Sequence, residues 1–485
     1  MAEQTLKEKT AKGLFWGGLS NGGQQVLNLL FGVILARILS SEDYGLVAML
    51  AIFTGIAGSV LDVGFSTALI NQKEIRHDDY NAVFWAVAIG DLIVSTMLFL
   101  SAPLIADFYG KPELKILAQI VFLGFWISAM GVVPYALLMK KMMMKEKAIA
   151  ELSALLLSGI IGIALALNGF AYKGLAIQTV VYVLVGTCLK FYFVGWKPTL
   201  PIDFRPLRKM FKFGSKLFLT NIVMQVNNNV FSVVLGKFYT EKETGYYAQG
   251  QKWVGMGSLL ISGMISGVAQ PVFVQVKEQP ERLVLVFRKM VRFGAFVSFP
   301  LMLGLAFVSE EFIGLLLGEK WLPSVPFMQL FCIWGAISFL WVLYTSLLMI
   351  FERSDTYLYG MTFIGLLQLL VVWIMYPLGI YAMVIGYIGM YYLGLFFWHY
   401  FVQKLIPVRF LDIIKDLLPY LLIVSVAFLF SYFVVSYVEG MVLRLFLKIG
   451  IVAIIYIFIL WKMNSVIFRE SLEFVKGHLL GKTGR

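Results

Sequence analysis

Long apolar runs recur along the whole chain and restrict the folds open to it. Each holds about 20 residues or more, the length that an α-helix needs to cross the hydrocarbon core of a bilayer. Fourteen spans are predicted, at residues 13–38, 44–71, 81–106, 115–138, 149–168, 174–195, 214–238, 246–275, 291–309, 324–350, 356–377, 380–402, 417–436 and 441–462. With 60% of the 485 residues hydrophobic, this pattern predicts an all-α integral membrane protein without a soluble domain.

The first and seventh runs carry the same polar pattern. Three amides spaced i, i+4, i+7, and therefore on one helix face, form the first amide stripe: Asn21, Gln25 and Asn28. The second amide stripe repeats them 200 positions later: Asn221, Gln225 and Asn228. Ten of the thirty residues from Leu19 to Ala48 are identical to their partners at this offset. The chain is therefore predicted to be an internal duplication.

The joint at 196–213 is the longest between two spans and divides the repeats. It predicts a six-helix bundle over 1–205, a second over 206–403, and two extra helices with a tail over 404–485. Because six is even, both bundles insert in the same orientation, as parallel repeats about a pseudo-twofold axis along the membrane normal. The basic, amphipathic end of the joint predicts a short interfacial helix.

The distribution of charge gives the orientation. With the N-terminus in the cytoplasm, 29 Lys and Arg residues fall on the cytoplasmic side and 10 on the other, and Lys190 lies within its span. This bias follows the positive-inside rule and predicts that both termini are cytoplasmic. The net charge of +12 is then explained by basic residues that orient the protein in the membrane and lie beside anionic lipid. No nucleic-acid partner is needed to explain it.

Three stretches resemble a known family: KGLFWGGLSNGGQQVLNLLFGVILARILSSEDYGLVAM at the start, then LDVGFSTALINQKE, and later GYYAQGQKW. They are similar to the polysaccharide transport branch of the multidrug/oligosaccharidyl-lipid/polysaccharide flippase superfamily, of the colanic-acid or lipopolysaccharide exporter type. The resemblance implies that the two six-helix bundles form a V-shaped pair enclosing a central cavity, which opens alternately to each side of a bacterial cytoplasmic membrane. It also implies that undecaprenyl-pyrophosphate-linked oligosaccharide moves from the inner to the outer leaflet. We expect a monomer among membrane lipids, near other polysaccharide assembly proteins.

The amide stripes have two interpretations. Amides often join transmembrane helices by hydrogen bonds worth about 0.6–2 kcal/mol. They also suit a sugar, because each amide offers two donors and an acceptor without a fixed charge. The recurrence of the stripe on helices related by the repeat favours a substrate cavity, lined by Asn21, Gln24, Gln25, Asn28, Asn221, Gln225 and Asn228.

Charged residues inside the spans are candidates for two further roles. Arg37, Lys237 and Lys252 are predicted to bind a pyrophosphate or an acidic sugar near the outer face, with snorkelling to the lipid headgroups as the alternative. Asp62 and Asp91 are predicted at one depth and are candidates for proton or sodium coupling. A structural hydrogen bond to a neighbouring helix is the alternative for both acids.

Other functional classes fit less well. The sequence has no D-x-D motif, no Cys/His cluster and no large external loop, so neither an enzyme, such as a polysaccharide polymerase, nor a metal site or other cofactor is predicted. A multidrug/cation antiporter of the same superfamily is the main alternative. Members of that branch place an acid in the first span, whereas the first span here carries only amides.

Overall fold

The structure is a computed structural model, and it describes residues 6–61, 65–72, 75–200, 202–205 and 207–479. The chain divides into two compact units, Met1–Gly245 and Tyr246–Arg485. All regular structure in the described residues is helical, which confirms the predicted all-α class. The helices that lie in the first unit are α1 (Leu6–Ile38), α2 (Ser41–Met49), α3 (Ala51–Leu61), α4 (Phe65–Asn71), α5 (His77–Tyr109), α6 (Glu113–Met130), α7 (Val132–Lys140), α8 (Met144–Leu167), α9 (Ala171–Val194) and α10 (Leu207–Phe238).

The second unit continues from α11, which begins at the end of the first unit. Its helices are α11 (Glu241–Val276), α12 (Pro280–Ser298), α13 (Gly304–Phe307), α14 (Ser309–Leu316), α15 (Val325–Ile350), α16 (Ser354–Met375), α17 (Ile380–Gln403), α18 (Phe410–Val435), α19 (Met441–Lys462) and α20 (Val466–Leu479). A π-helical turn at Phe299–Leu303 joins α12 to α13. The extra pair α18 and α19 is fixed to the rest of this unit by polar contacts, such as Tyr456 Oη donating to the Phe296 carbonyl at 2.9 Å.

Eleven helical segments in the described residues are long and apolar enough to cross a membrane, and each coincides with a predicted span. The other three predicted spans are helical but differ in character. The amide-bearing α1 and α10 are less apolar than most of the chain, with the first and second amide stripes on their surfaces. In the run 44–71 the helix is interrupted at Leu50 between α2 and α3, and its described residues beyond that point lie in α3 and α4. The multi-pass membrane fold is confirmed, and the count of fourteen stays a prediction.

The basic end of the long joint is not a separate interfacial helix. The residues described at 195–200 and 202–205 are non-helical, and α10 runs without a break from Leu207 to Phe238. The residues predicted to lie at the interface therefore form the first part of α10. This helix packs mainly against α3 within the first unit. The bundle boundaries at 205 and 403 come from the sequence repeat and stay predictions.

The duplication is visible in the caps of the two corresponding helices. At the start of α2, Ser40 N–H donates to Asp43 Oδ2 at 3.0 Å and Asp43 N–H donates to Ser40 Oγ at 3.2 Å. At the start of α11, Thr240 N–H donates to Glu243 Oε2 at 3.0 Å and Glu243 N–H donates to Thr240 Oγ1 at 3.2 Å. Both are capping boxes, and their members lie 200 positions apart. The repeat therefore extends beyond the amide stripes into the local backbone structure.

The same two helix starts meet in a reciprocal contact. A β-carbon on Gly45 would overlap the Glu241 backbone oxygen, and one on Gly245 would overlap the Ser41 backbone oxygen. Gly45 and Gly245 are repeat partners, and so are Ser41 and Glu241. Each repeat therefore makes the same contact to the other. An ion pair beside the crossing, Lys111 Nζ to Glu241 Oε1 at 2.7 Å, adds to it. Only glycine permits the two backbones to approach this closely.

Candidate functional site

A polar cavity of about 390 Å³ lies inside the first unit, between α1, α2, α8 and α9. Gln24 and Asn28 of α1 line it, so two of the residues predicted for the substrate cavity face an open space. The other polar residues that line this amide cavity are Tyr44, Ser158, Gln178, Thr179 and Tyr182. All seven polar side chains are amides or hydroxyls without a formal charge. Such a lining can donate and accept hydrogen bonds in many directions, which is what a sugar requires.

A charged network holds Gln24 at one end of this cavity. Glu151 Oε2 on α8 accepts hydrogen bonds from Ser20 Oγ at 3.0 Å and from Gln24 Nε2 at 3.1 Å. Lys147 Nζ, one helical turn before Glu151, lies 2.9 Å from its other oxygen. The Gln24 side chain is thereby fixed, because its amide nitrogen is held by a carboxylate.

Two ammonium groups flank one aromatic ring near this network. Lys147 Nζ lies 6.0 Å and Lys190 Nζ lies 5.7 Å from the centroid of the Tyr135 ring. Glu151 is thus close to two cations, although sequence reasoning did not single it out. The signal was its i, i+4 spacing from Lys147 at the start of a predicted span.

A second cavity, of about 400 Å³, adjoins the amide cavity and is mostly apolar. The two share Val47, Leu175 and Thr179 as lining residues. Residues of α3 and α6 form the remaining walls, among them Leu117, Val121 and Phe125. The first unit therefore contains a polar cavity and an apolar cavity side by side, with three lining residues in common.

The second amide stripe has different surroundings. Gln225 lies against α3, because a β-carbon on Gly55 would stand 2.5 Å from Gln225 Oε1. Asn229 Nδ2 donates to the Gln225 carbonyl at 2.9 Å and to its Oε1 at 3.2 Å. These contacts use the amides at a helix crossing, which is the packing interpretation. Asn221 is half-buried and Asn228 is exposed, and on α1 Asn21 is exposed and Gln25 half-buried.

The three predicted anion-binding residues divide between the units. Lys237 Nζ donates to the Phe108 carbonyl and lies 4.7 Å from the centroid of the Phe108 ring. Arg37 is exposed in the last turn of α1. Lys252, in the second unit, is half-buried with its Nζ 5.5 Å from the Trp253 ring centroid. A role in binding an anion stays a prediction for all three.

Of the two predicted coupling acids, Asp62 lies outside the described residues. Asp91 is 4% exposed on α5. Its Oδ2 is shielded from solvent, and so is Ser95 Oγ one helical turn later, and neither atom has a hydrogen-bond partner among the residues that the structure describes. A buried carboxylate oxygen without a partner is costly unless a proton or cation compensates it. No group of three or more His, Cys, Asp or Glu side chains suited to a metal occurs in the described part of the chain.

Comparison with known proteins places the chain in a family. A family model described as "Polysaccharide biosynthesis protein" matches residues 34–326, more than half of the chain. The lipopolysaccharide biosynthesis protein WzxC of Escherichia coli K12 is 26% identical over 358 residues, which cover 72% of each chain. The succinoglycan biosynthesis transport protein ExoT of Rhizobium meliloti is 25% identical over 327 residues, covering 67% of this chain and 66% of the relative.

Two groups of solved structures share the fold. A structure of the lipid II flippase MurJ superposes with a TM-score of 0.73 at 15% identity, covering 93% of this chain and all of MurJ. An inward-facing multidrug transporter of the MATE family superposes with a TM-score of 0.63 at 16% identity, covering 79% of this chain and 95% of that one. The chain therefore belongs to the polysaccharide biosynthesis protein family, and it has the fold seen in the MurJ and MATE transporters.

Proposed function

We propose that this protein is a flippase for polyprenyl-pyrophosphate-linked oligosaccharide, the repeat unit of an O-antigen or exopolysaccharide. Its relatives include a lipopolysaccharide biosynthesis protein and a succinoglycan transport protein, and its fold is that of a lipid II flippase. The observation that carries the proposal is the amide cavity. It offers seven uncharged polar side chains in a membrane protein, where polar groups are costly unless they face water, a partner or a substrate.

The amide cavity acts, in this proposal, as the first contact for the sugar headgroup. Gln24 and Asn28 donate to and accept from hydroxyl groups, with Gln178 on the opposite helix. Glu151 keeps the Gln24 amide nitrogen engaged, so that its carbonyl oxygen is presented in one orientation. Fixing the side chain before the substrate arrives reduces the entropy lost on binding.

Transport follows alternating access across the bacterial cytoplasmic membrane, with both termini cytoplasmic and the substrate moving to the outer leaflet. The 29-to-10 distribution of Lys and Arg supports this orientation. The protein works as a monomer beside other polysaccharide assembly proteins. Arg37, Lys237 and Lys252 provide positive charge for the pyrophosphate.

Ion coupling is assigned to Asp91, with Asp62 as its predicted companion. Burial of Asp91 and the lack of a hydrogen-bond partner for its Oδ2 among the described residues support a place for a proton or Na⁺ on α5. If this is correct, Asp91→Asn in proteoliposomes abolishes the dependence of transport on a proton or sodium gradient. A gradient dependence equal to that of the wild type would remove Asp91 from the coupling step.

The function is tested with purified protein in liposomes that contain a fluorescent polyprenyl-pyrophosphate oligosaccharide. Lectin accessibility measures how much of the sugar crosses the bilayer. Wild type is expected to equilibrate the sugar, and Gln24→Leu with Asn28→Leu to slow it about tenfold, a typical loss for hydrogen bonds to a polar substrate. Asn168→Leu is the control, because Asn168 is exposed and its side chain donates only to the Ala164 carbonyl of its own helix. Export of cationic drugs without movement of the sugar would favour the antiporter instead.

A further inference from the structure

A second polar pocket lies in the second unit, outside every site described above. It has a volume of about 260 Å³ and is walled by α12, α18, the end of α19 and the turn before α20. Its polar lining residues are Arg292, Lys415, Asp416, Tyr420 and Ser465. Apolar side chains of α18 and α19 complete it, Ile423 and Leu460 among them. The pocket thus involves the extra helices beyond the duplicated ones.

The pocket has an excess of positive charge. Asp416 is buried, and both of its oxygens are taken by Arg288, with Nε to Oδ2 at 2.7 Å and Nη2 to Oδ1 at 3.1 Å. Arg292 Nη1 stands 3.8 Å from Asp416 Oδ1, beyond hydrogen-bonding distance. Among the lining residues, Arg292 and Lys415 outnumber the single carboxylate of Asp416, which Arg288 already pairs, and Asp412 of α18 also acts on Arg288.

Arg292 has unused donor capacity. Its Nε is shielded from solvent and has no hydrogen-bond partner among the described residues. Two hydroxyl groups also line the pocket, Tyr420 Oη and Ser465 Oγ, which lie 3.5 Å apart. A guanidinium, an ammonium and two hydroxyls around one space form a donor set suited to the oxygens of a phosphate ester.

We propose that this pocket binds the phosphate group of an anionic phospholipid of the surrounding membrane. The basic joint before α12 places this end of the unit on the cytoplasmic side by the positive-inside rule, where anionic headgroups attract Lys and Arg. The apolar side chains of α18 and α19 provide a surface for the acyl chains. The bound lipid joins α12 to the extra helices, beside the Lys289–Glu470 ion pair at 2.8 Å that links α12 to α20.

The test uses the full-length protein in detergent and native mass spectrometry with phosphatidylglycerol or phosphatidylcholine. Phosphatidylglycerol is expected to remain bound to wild type at least about tenfold better than phosphatidylcholine. Arg292→Gln with Lys415→Gln should lower its retention about tenfold, since two charge-assisted contacts are lost. Arg282→Gln is the control for each single substitution, because it removes one positive charge from an exposed position on α12 and should retain the lipid.

Three results would overturn the proposal. Equal retention of the two lipids would show that the pocket does not prefer an anionic headgroup to a zwitterionic one. Equal retention by the double variant and by Arg282→Gln would show that the pocket is not the binding site. Displacement of phosphatidylglycerol by a polyprenyl pyrophosphate, with transport lost in the double variant, would assign the phosphate to the substrate. Should the double variant fail to fold, Lys415→Gln alone, at an exposed residue, is expected to show a weaker loss of the same sign.

Discussion

The two amide stripes are nearly the same in sequence and differ in what surrounds them. On α1, Gln24 and Asn28 line an open polar cavity, and Glu151 fixes Gln24 by a hydrogen bond of 3.1 Å. On α10, Gln225 lies against Gly55 of α3 and is bonded to Asn229. The duplication has preserved the three amides of each stripe, whereas Gln24, which lies beside the first stripe, is matched by Met224, and the surroundings of the two stripes differ. A repeated motif predicts the same amide-bearing helix face in both repeats. The helix packed against that face determines whether an amide lines a cavity or lies at a helix crossing.

The largest effect is expected where the repeats are still equivalent. Gly45→Val and Gly245→Val each force a side chain into the backbone of the other repeat, and each should destabilise the protein by about 3 kcal/mol or more. Thermal unfolding in detergent measures this. Gly22→Ala is the control, since a β-carbon there meets no atom within 4 Å. Unequal effects of the two valines would contradict the reciprocal contact.

A smaller loss is expected at Glu151 of α8, whose hydrogen bonds to Ser20 and Gln24 lie beside the first stripe. Glu151→Leu removes the acceptor for Ser20, Gln24 and Lys147, and we expect a loss of about 2–3 kcal/mol with slow transport. Glu151→Gln keeps an acceptor oxygen and should restore part of both. Thermal stability and sugar transport by the same preparation check the pair of variants. Normal transport by Glu151→Leu would show that the hydrogen bonds of Glu151 do not contribute to the function of the amide cavity.

A substitution in the second stripe should lower the stability of the protein without lowering the transport rate per molecule. Gln225→Leu removes the bond to Asn229 at the crossing of α10 with α3, and a loss of about 1 kcal/mol is expected. The amount of protein in the membrane reports this loss, and transport is then normalised to that amount. A normalised rate as low as that of Gln24→Leu with Asn28→Leu would give both stripes the same role.

The smallest expected effect concerns the two capping boxes. Ser40→Ala and Thr240→Ala each remove one cap and should each cost about 1 kcal/mol. Their effects should agree within a few tenths of a kcal/mol, because the two caps have matching geometry. Thermal midpoints measure the difference, and a cost at only one cap would break the equivalence of the helix starts.

Much of this architecture could be predicted from the sequence, because the membrane restricts the chain to helices and the hydropathy locates them. Eleven predicted spans coincide with helices apolar enough to cross. The interruption of 44–71 at Leu50 and the extension of α10 back to Leu207 were not predicted, since hydropathy carries no signal for either.

The site was harder to predict than the fold. The period of 3.6 places Gln24 and Asn28 near one face, yet only packing reveals that α8 and α9 leave a space before them. Glu151 was missed because it lies at the edge of a span, where charges are ordinary. The capping boxes can be recognised in the sequence as S-x-x-D and T-x-x-E. Their spacing of 200 residues identifies them as part of the repeat.

The most direct test of the central claim is the rate of sugar translocation per molecule in proteoliposomes for Gln24→Leu with Asn28→Leu, set against Gln225→Leu. The account predicts about a tenfold loss of rate per molecule for the first pair, and a normal rate per molecule for Gln225→Leu with reduced stability. Wild-type rates in the Gln24/Asn28 variant would contradict the assignment of the amide cavity to the sugar.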